Sequence, residues 1–184
     1  TAYSPDGVTF SNPAVAIPRL SAFEAGWFQV QDEAAQLVSM LLDPQPGDTV
    51  LDACAGLGGK TGHIAQLMKN EGSLVALDIN EGKLLRLKTD MQRLAVSILS
   101  TLGHDLERGL PRDQLPGFDR ILLDAPCSGL GVLRRNPDIK WRSSEKSLKK
   151  FSARQLRLLN NLSRLVKRSS NIPAPSRQHW RPRQ

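Results

Sequence analysis

Between Gln31 and Leu42 the apolar residues Ala34, Leu37, Val38, Leu41 and Leu42 recur with the period of a helix buried on one side, and Asp43-Pro44-Gln45-Pro46-Gly47 stops it. Beyond that turn the pattern becomes an alternation of short apolar runs and helical stretches. Thr49 to Ala53 predicts a strand, Lys60 to Met68 a helix and Leu74 to Asp78 a second strand. Glu81 to Leu94 follows as a helix with Leu84, Leu85, Leu87, Met91 and Leu94 on its apolar side. Ala95 to Leu99 predicts a third strand, Arg120 to Leu123 a fourth, and Ser152 to Val166 a further helix through Leu156, Leu159, Leu162 and Leu165. Strands alternating with helices imply βαβ units, right-handed crossovers and a parallel sheet. The predicted class is therefore α/β, a Rossmann-like three-layer sandwich.

A fifth strand is expected after the last helix. In its place Asn171 to Gln184 carries Pro173, Pro175 and Pro182 among Arg, Gln and Ser, the composition of a disordered tail. The sheet thus reads as truncated after its fourth strand. Three regions are expected: an irregular arm over residues 1–25 holding Pro5, Pro13 and Pro18, an incomplete globular domain over 26–168, and a basic tail over 169–184.

The chain has 184 residues, enough to bury one core. No apolar run approaches the roughly 20 residues needed to cross a bilayer, and the N-terminus lacks the basic-then-apolar pattern of a leader, so the chain reads as soluble with no membrane partner. Cys54 and Cys127 are the two cysteines. They are too few for a disulfide framework and lack metal-ligand spacing, which fits a reducing cytoplasm and no metal. The reading is of a monomer. The net charge of +7 hides an asymmetry. Residues 1–133 hold 10 Lys+Arg against 16 Asp+Glu, and residues 134–184 hold 15 against 2. A field of one sign over the last third would hold a polyanion such as RNA or DNA; a solvated basic helix and tail is the plainer alternative.

Two segments carry candidate chemistry. Leu51-Asp52-Ala53-Cys54-Ala55-Gly56-Leu57-Gly58-Gly59-Lys60-Thr61 reads as a strand, a glycine-rich turn and a helix start. Free N–H groups at such a helix N-terminus attract a carboxylate or phosphate. Cys54 stands where a Walker motif needs its first glycine, so a nucleotide P-loop is excluded. Asp78 ends the second strand, where an acidic residue accepts hydrogen bonds from both ribose hydroxyls, which suggests an adenosine cofactor. Asp105 is placed either to reach an adenine amino group or to cap a turn. The second segment is Leu123-Asp124-Ala125-Pro126-Cys127-Ser128-Gly129, which delivers a carboxylate and a thiol to the rim of the sheet. A thiolate adds to an electron-poor ring that a nearby acid polarises. Cys54 reads as a small buried filler. Arg134, Arg135, Lys140, Trp141 and Arg142 form a basic stretch with an aromatic, suited to phosphates and a stacked base; a surface loop with Trp141 in the core is the alternative.

Together with Ala76-Leu77-Asp78 and the run Asp124 to Trp141, the glycine-rich turn resembles the Sun/Nop2-type RNA cytosine-5 methyltransferases, in particular the bacterial Fmu/Sun 16S rRNA enzymes, over roughly residues 20–168. Phe23 to Asp32 is similar to that family's N-terminal segment beside the cofactor pocket. The resemblance implies a class I methyltransferase domain that binds S-adenosyl-L-methionine and acts on RNA, with 16S rRNA the expected substrate. It implies a cofactor site made of Asp52, Cys54, Ala55, Gly56, Leu57, Gly58, Gly59, Lys60, Asp78, Lys83, Asp105 and Asp124. Asp78 would take the ribose and Asp105 the adenine. Asp124 would hold the cytosine edge, Lys60 would orient that carboxylate, and Cys127 would serve catalysis. A thiolate adds to cytosine C6, C5 takes the methyl group, and loss of the C5 proton expels the thiol.

Two departures matter. Gly56-Leu57 replaces the family's Ala-Pro before Gly-Gly-Lys. The family's attacking cysteine lies in a Thr-Cys pair on the fifth strand, whereas DNA cytosine-5 methyltransferases attack with the Pro-Cys thiol. No Thr-Cys pair occurs in these 184 residues. The expectation is a truncated chain with weak or no turnover, or a chain in which Cys127 does both jobs; an RNA- and cofactor-binding fragment without catalysis is the alternative. A nicotinamide-dependent reductase would prefer Gly-x-Gly-x-x-Gly, and amino-group methyltransferases would place Pro-Pro-Tyr after the acid, so both fit less well.

Overall fold

A computed structural model describes residues 1–110, 115, 117–133, 137–138, 141 and 144–167. Four strands form one parallel sheet in the order β3-β2-β1-β4: β1 Thr49–Ala53, β2 Ser73–Asp78, β3 Leu99–Gly103 and β4 Arg120–Leu123. Helices α2 Glu33–Leu42, α3 Gly59–Leu67 and α4 Glu81–Arg93 cover one face, and α5 Glu145–Ser163 covers the other. A one-turn helix, α1, spans Ser21–Glu24.

Strand alternation divides the core between the two faces. Leu51, Ala53, Val75 and Leu77 pack with Phe118, Leu158 and Leu162 toward α5, while Val50, Leu74 and Leu122 pack with Ile64, Ala65 and Met68 toward α3. Ala76 meets Leu84, Leu87 and Met91 of α4. Strands buried on both faces read as continuous apolar runs, which is why β1 and β2 were legible.

Three expectations need correction. The third strand begins at Leu99 and ends at Gly103, not over Ala95 to Leu99. Ala95, at φ +56°, closes α4 through bonds from Ala95 N to Gln92 O and from Val96 N to Met91 O, so residues 95–98 finish the helix and enter the core before pairing starts. The last helix begins at Glu145, earlier than Ser152, because Ser144 and Ser147 form a reciprocal capping box. It ends at Ser163, and Leu165 to Lys167 turn back to the sheet instead of extending the helix. The arm is not irregular throughout, since a 3-10 turn at Ile17–Arg19 and α1 follow its first sixteen residues.

The return after α5 bears on the expected cut-off sheet. Phe118 N donates to Leu165 O at 2.9 Å and Lys167 N to Phe118 O at 2.8 Å, a parallel bridge at the free edge beside β4. Lys167 Nζ also meets Asp119 Oδ2 at 2.7 Å. Among the described residues four strands are present and the chain is directed along the outer edge of the fourth. The expected tail, 169–184, lies outside the described residues.

Candidate active site

All four strands point the same way, so their carboxyl ends open on one rim, where open α/β sheets bind ligands. β1 leads into a turn that needs unusual backbone. Cys54 (φ +68°), Gly56 (φ +59°) and Gly58 (φ +87°) are all left-handed. A Cβ at Gly58 would lie 2.6 Å from Leu87 Cγ, so only glycine lets the turn sit against α4. A Cβ at Gly59 would meet nothing within 4 Å, leaving open space over the start of α3. Ala55 N donates to Leu77 O at 2.8 Å, tying the turn to β2.

Asp78, at the end of β2, accepts from Gly56 N at 2.9 Å through Oδ2 and from Asn80 N at 2.8 Å through Oδ1. Asp52 is buried behind the turn and accepts the Thr61 hydroxyl at 2.6 Å. Burial pushes its carboxyl up to about 6, against the pull of the Thr61 hydroxyl and the Lys60 charge. Lys60 reaches the other way: its Nζ donates to Asp124 Oδ2 at 2.6 Å, with the lysine side chain 21% exposed and the aspartate 57%. Gln31, Ala35, Asp52, Cys54, Ala55, Gly59, Lys60 and Asp124 line one small cavity of about 110 Å³.

Cys127 lies past the end of β4 and is an exposed free thiol. The loop carrying it is held to α5 by Gln155 Nε2, which donates to Pro126 O at 3.1 Å. Cys54 is partly buried; burial, with Asp78 and Asp52 nearby, pushes its thiol up to about 11. It is packed against the core on the α5 face and also lines the cavity.

The structure therefore gathers Asp52, Cys54, Ala55, Gly59, Lys60 and Asp124 around one cavity, with Asp78 at the end of β2 bonded to the adjoining turn. Asp105 sits past β3 and does cap a turn: its Oδ1 accepts from Glu107 N at 3.0 Å, and its Oδ2 stands 3.5 Å from Arg108 Nε. Leu57 and Lys83 are exposed. Trp141 is 82% exposed, which removes the alternative that it belongs to the core. Arg134, Arg135, Lys140 and Arg142 lie outside the described residues.

Several residues at the site carry no local sequence signal. Thr61 holds Asp52, and Gln31 walls the cavity with its Nε2 buried and without a partner. Glu107 receives Arg154 at 2.6 Å and Arg157 at 2.9 Å from α5, which pins the loop after Asp105. Asn80 caps α4. Among the described residues no His, Cys, Asp and Glu cluster suited to a metal occurs, and no helix is long and apolar enough to cross a membrane.

A family model described as 16S rRNA methyltransferase RsmB/F matches residues 39–172. This chain belongs to that family. It is 39% identical over 168 residues to a probable ribosomal RNA small subunit methyltransferase B of Synechocystis, covering 91% of this chain and 38% of the relative. It is 41% identical over 150 residues to the corresponding probable enzyme of Bacillus subtilis, covering 82% and 34%. The chain thus spans little more than a third of the length of these relatives. Among solved structures, NSun6 from Pyrococcus horikoshii with SFG superposes with a TM-score of 0.74 at 30% identity, covering 84% of this chain and 39% of that one. A methyltransferase homolog protein from the same organism gives 0.72 at 31%, covering 84% and 48%. The fold is that of the class I methyltransferases.

Proposed function

We propose that residues 26–168 form the catalytic domain of an S-adenosylmethionine-dependent enzyme that methylates C5 of a cytosine in 16S rRNA. The observation that carries the reading is the Lys60–Asp124 pair at 2.6 Å at the end of β4, on the same rim as Asp78, with the exposed Cys127 three residues on in the loop that follows. The names of the matched family and relatives support the rRNA substrate, and the NSun6 structure with SFG, an S-adenosylmethionine analogue, supports the cofactor.

The residues present fit that cofactor. The open surface above Gly59 leaves room for a ligand against the backbone, and the carboxylates of Asp78 and Asp105 suit a ribose diol and an amino group. Ala55, Gly56, Leu57, Gly58, Gly59 and Lys83 complete the proposed pocket. When bound, S-adenosylmethionine supplies an electrophilic methyl group. Asp124 hydrogen-bonds the cytosine amino edge and stabilises N3 in its protonated form, N3 taking up a proton as the thiolate adds, while Lys60 fixes the direction of that carboxylate. The Cys127 thiolate forms a bond to C6 and moves the ring electrons to C5. Once C5 has gained the methyl group, with S-adenosylhomocysteine as the leaving group, loss of the C5 proton to water would restore the double bond and expel the thiolate. Arg134, Arg135, Lys140, Trp141 and Arg142 are proposed to hold the RNA, its phosphates by charge and a base by stacking.

A second reading is favoured by one observation: the Thr-Cys pair that supplies the family's nucleophile does not occur in the 184 residues. On that reading the chain binds cofactor and RNA without turnover. Two experiments separate the readings. A thermal-shift titration with S-adenosylmethionine should raise the midpoint, since ligand at a hundredfold over its Kd adds about 2.7 kcal/mol; no shift refutes the cofactor assignment. RNA containing 5-fluorocytosine should then form a covalent adduct that disappears in Cys127→Ala. Cofactor binding without an adduct selects the second reading.

A further inference from the structure

A strap runs from Phe23 to Gln31 across the edges of α4 and α3, and its two ends are held by very different devices. At the first end Arg93, in the last turn of α4, donates from Nη1 to Phe23 O at 2.7 Å and to Phe28 O at 3.1 Å. Its Nε donates to Asp90 Oδ1 at 3.2 Å, and its guanidinium lies 3.9 Å over the Phe23 ring. The strap passes so close that a Cβ at Gly26, already at φ +77°, would stand 1.8 Å from Arg93 O. The Phe28 ring packs on Phe23 and Phe10, at 5.6 and 5.0 Å between centroids.

At the far end Gln29 Nε2 donates to Gly59 O at 2.7 Å. The amide occupies a seat that exists because Gly62 has no side chain: a Cβ there would lie 2.4 Å from Gln29 Oε1. Gly59 is the first residue of α3, and its N-cap, Gly58, makes no side-chain cap. A first turn that starts on two glycines without a cap has little of its own to fix it. The next residue is Lys60, whose ammonium reaches Asp124. Two residues further along the strap, Gln31 walls the same cavity as Asp52, Lys60 and Asp124.

We propose that the Phe23–Gln31 strap is a positioning element of the reaction cleft: Gln29 fixes the first turn of α3 and so places Lys60, and Arg93, remote from the cleft, acts through the strap. Arg93 and Gln29 are positioning residues and touch no reacting atom. The contact at Gly59 bears on the cleft more directly than the packing at Phe28, because it falls on the residue next to Lys60, in a first turn whose N-cap, Gly58, makes no side-chain bond. The ligand readout below rests on the cofactor assignment above; the exchange readout does not.

The test uses the full chain with Gln29→Leu, Arg93→Lys, their double variant and Gly62→Ala. Lysine keeps the charge and the stem over Phe23 but loses the fork that grips two carbonyls. Amide hydrogen exchange over residues 56–62 should speed up in all four. The dissociation constant for S-adenosylhomocysteine should rise about five- to tenfold with Gln29→Leu, as for the loss of one hydrogen bond. The double variant should be no worse than Gln29→Leu, because both changes act through one contact. Gly62→Ala gives the sharpest contrast. Alanine favours the helix over glycine, and the atom it displaces is the end of a flexible side chain, so the thermal midpoint should hold or rise while the cleft loosens. Unchanged exchange over 56–62 in Gln29→Leu, or additive effects in the double variant, would overturn the proposal. If the wild-type chain fails to bind S-adenosylhomocysteine, the cofactor assignment falls and the exchange result alone decides the strap.

Discussion

Replacing Asp52 with asparagine should stabilise the protein at neutral pH and leave it little changed in acid. Asp52 is 1% exposed, and burial raises its carboxyl from an ordinary 3.8 to about 6. In the unfolded chain the same group ionises near 3.9. The folded state therefore binds this proton more tightly. The resulting stability is fully present below about pH 4 and is lost as pH rises through 6, at up to about 1.4 kcal/mol per pH unit and about 3 kcal/mol in all by pH 7.5. Asparagine keeps an oxygen to accept the Thr61 hydroxyl and carries no charge to bury. His63 runs in the opposite sense, since burial lowers its pKa and stability falls as pH drops through 6.5. Asp119, lowered by Lys167 and Thr49 N, contributes stability that is lost only as pH falls below its ordinary range. Both groups are present in both proteins, so their contributions cancel in the difference. Urea unfolding of wild type and Asp52→Asn at pH 4, 5, 6 and 7.5 gives that difference, with equal m-values as the check that the unfolded state is unchanged. The variant should gain about 3 kcal/mol on the wild type across the range. A difference that does not move with pH refutes the assignment of a costly buried charge to Asp52.

Three other perturbations probe the backbone, the ion pair and the thiols. Gly26→Ala drives a Cβ into Arg93 O and should cost about 3 kcal/mol or more, while Gly47→Ala, at φ +89° with nothing within 4 Å, should cost only the left-handed strain of about 1–2 kcal/mol; equal losses in urea unfolding would contradict the close contact at Gly26. Lys60→Met breaks a pair whose aspartate is 57% exposed, so stability should change by less than about 1 kcal/mol, yet adduct formation on fluorocytosine RNA should slow about a hundredfold, as measured by quenched time courses. Iodoacetamide at pH 7.5 should label Cys127 and spare Cys54, whose ionised fraction is on the order of one in a few thousand when its pKa is about 11; peptide mass mapping that finds Cys54 labelled first would reverse the assignment of the two thiols.

What the sequence disclosed is what the chain encodes locally. β1, the glycine turn and α3 were legible because a buried parallel strand is a continuous apolar run, here closed by Gly56, Gly58 and Gly59. Asp78 and Asp124 were legible for the same reason, each standing where such a run ends. The third strand lies later than the apolar run suggests because Val96, Ile98 and Leu99 are apolar for two different purposes: the first two pack beneath α4 and α3, and the ladder with β2 opens where Leu74 N donates to Ile98 O and runs on from Leu99. The start of α5 was missed because its signal is the polar pair Ser144 and Ser147, which outweighs the later onset of the leucine stripe. Gln29 on Gly59, Arg93 on Phe23 and Phe28, and Arg154 and Arg157 on Glu107 join residues 30 to 70 positions apart, and no local pattern announces such contacts.

The two cysteines show how the same rim gives one residue type opposite characters. Parallel strands bring the carboxylates of Asp52, Asp78 and Asp124 to one end of the sheet, and Cys54 lies among them, partly buried. A thiolate there would lose hydration and face Asp78 and Asp52, so ionisation is pushed up to about 11. Such a thiol is unsuited to attack at neutral pH. Cys127 stands beyond β4 in an exposed loop, outside that enclosure. Among the described residues Lys60 is the cation that lines the cavity, and it is committed to Asp124, which neutralises the carboxylate closest to the thiol-bearing loop while Asp52 is left to be held by a hydroxyl. Burial and charge therefore hold the inner cysteine protonated at neutral pH and leave the outer one open to the role proposed for it, and they make the placement of Lys60 the electrostatic condition on which the proposed base recognition depends.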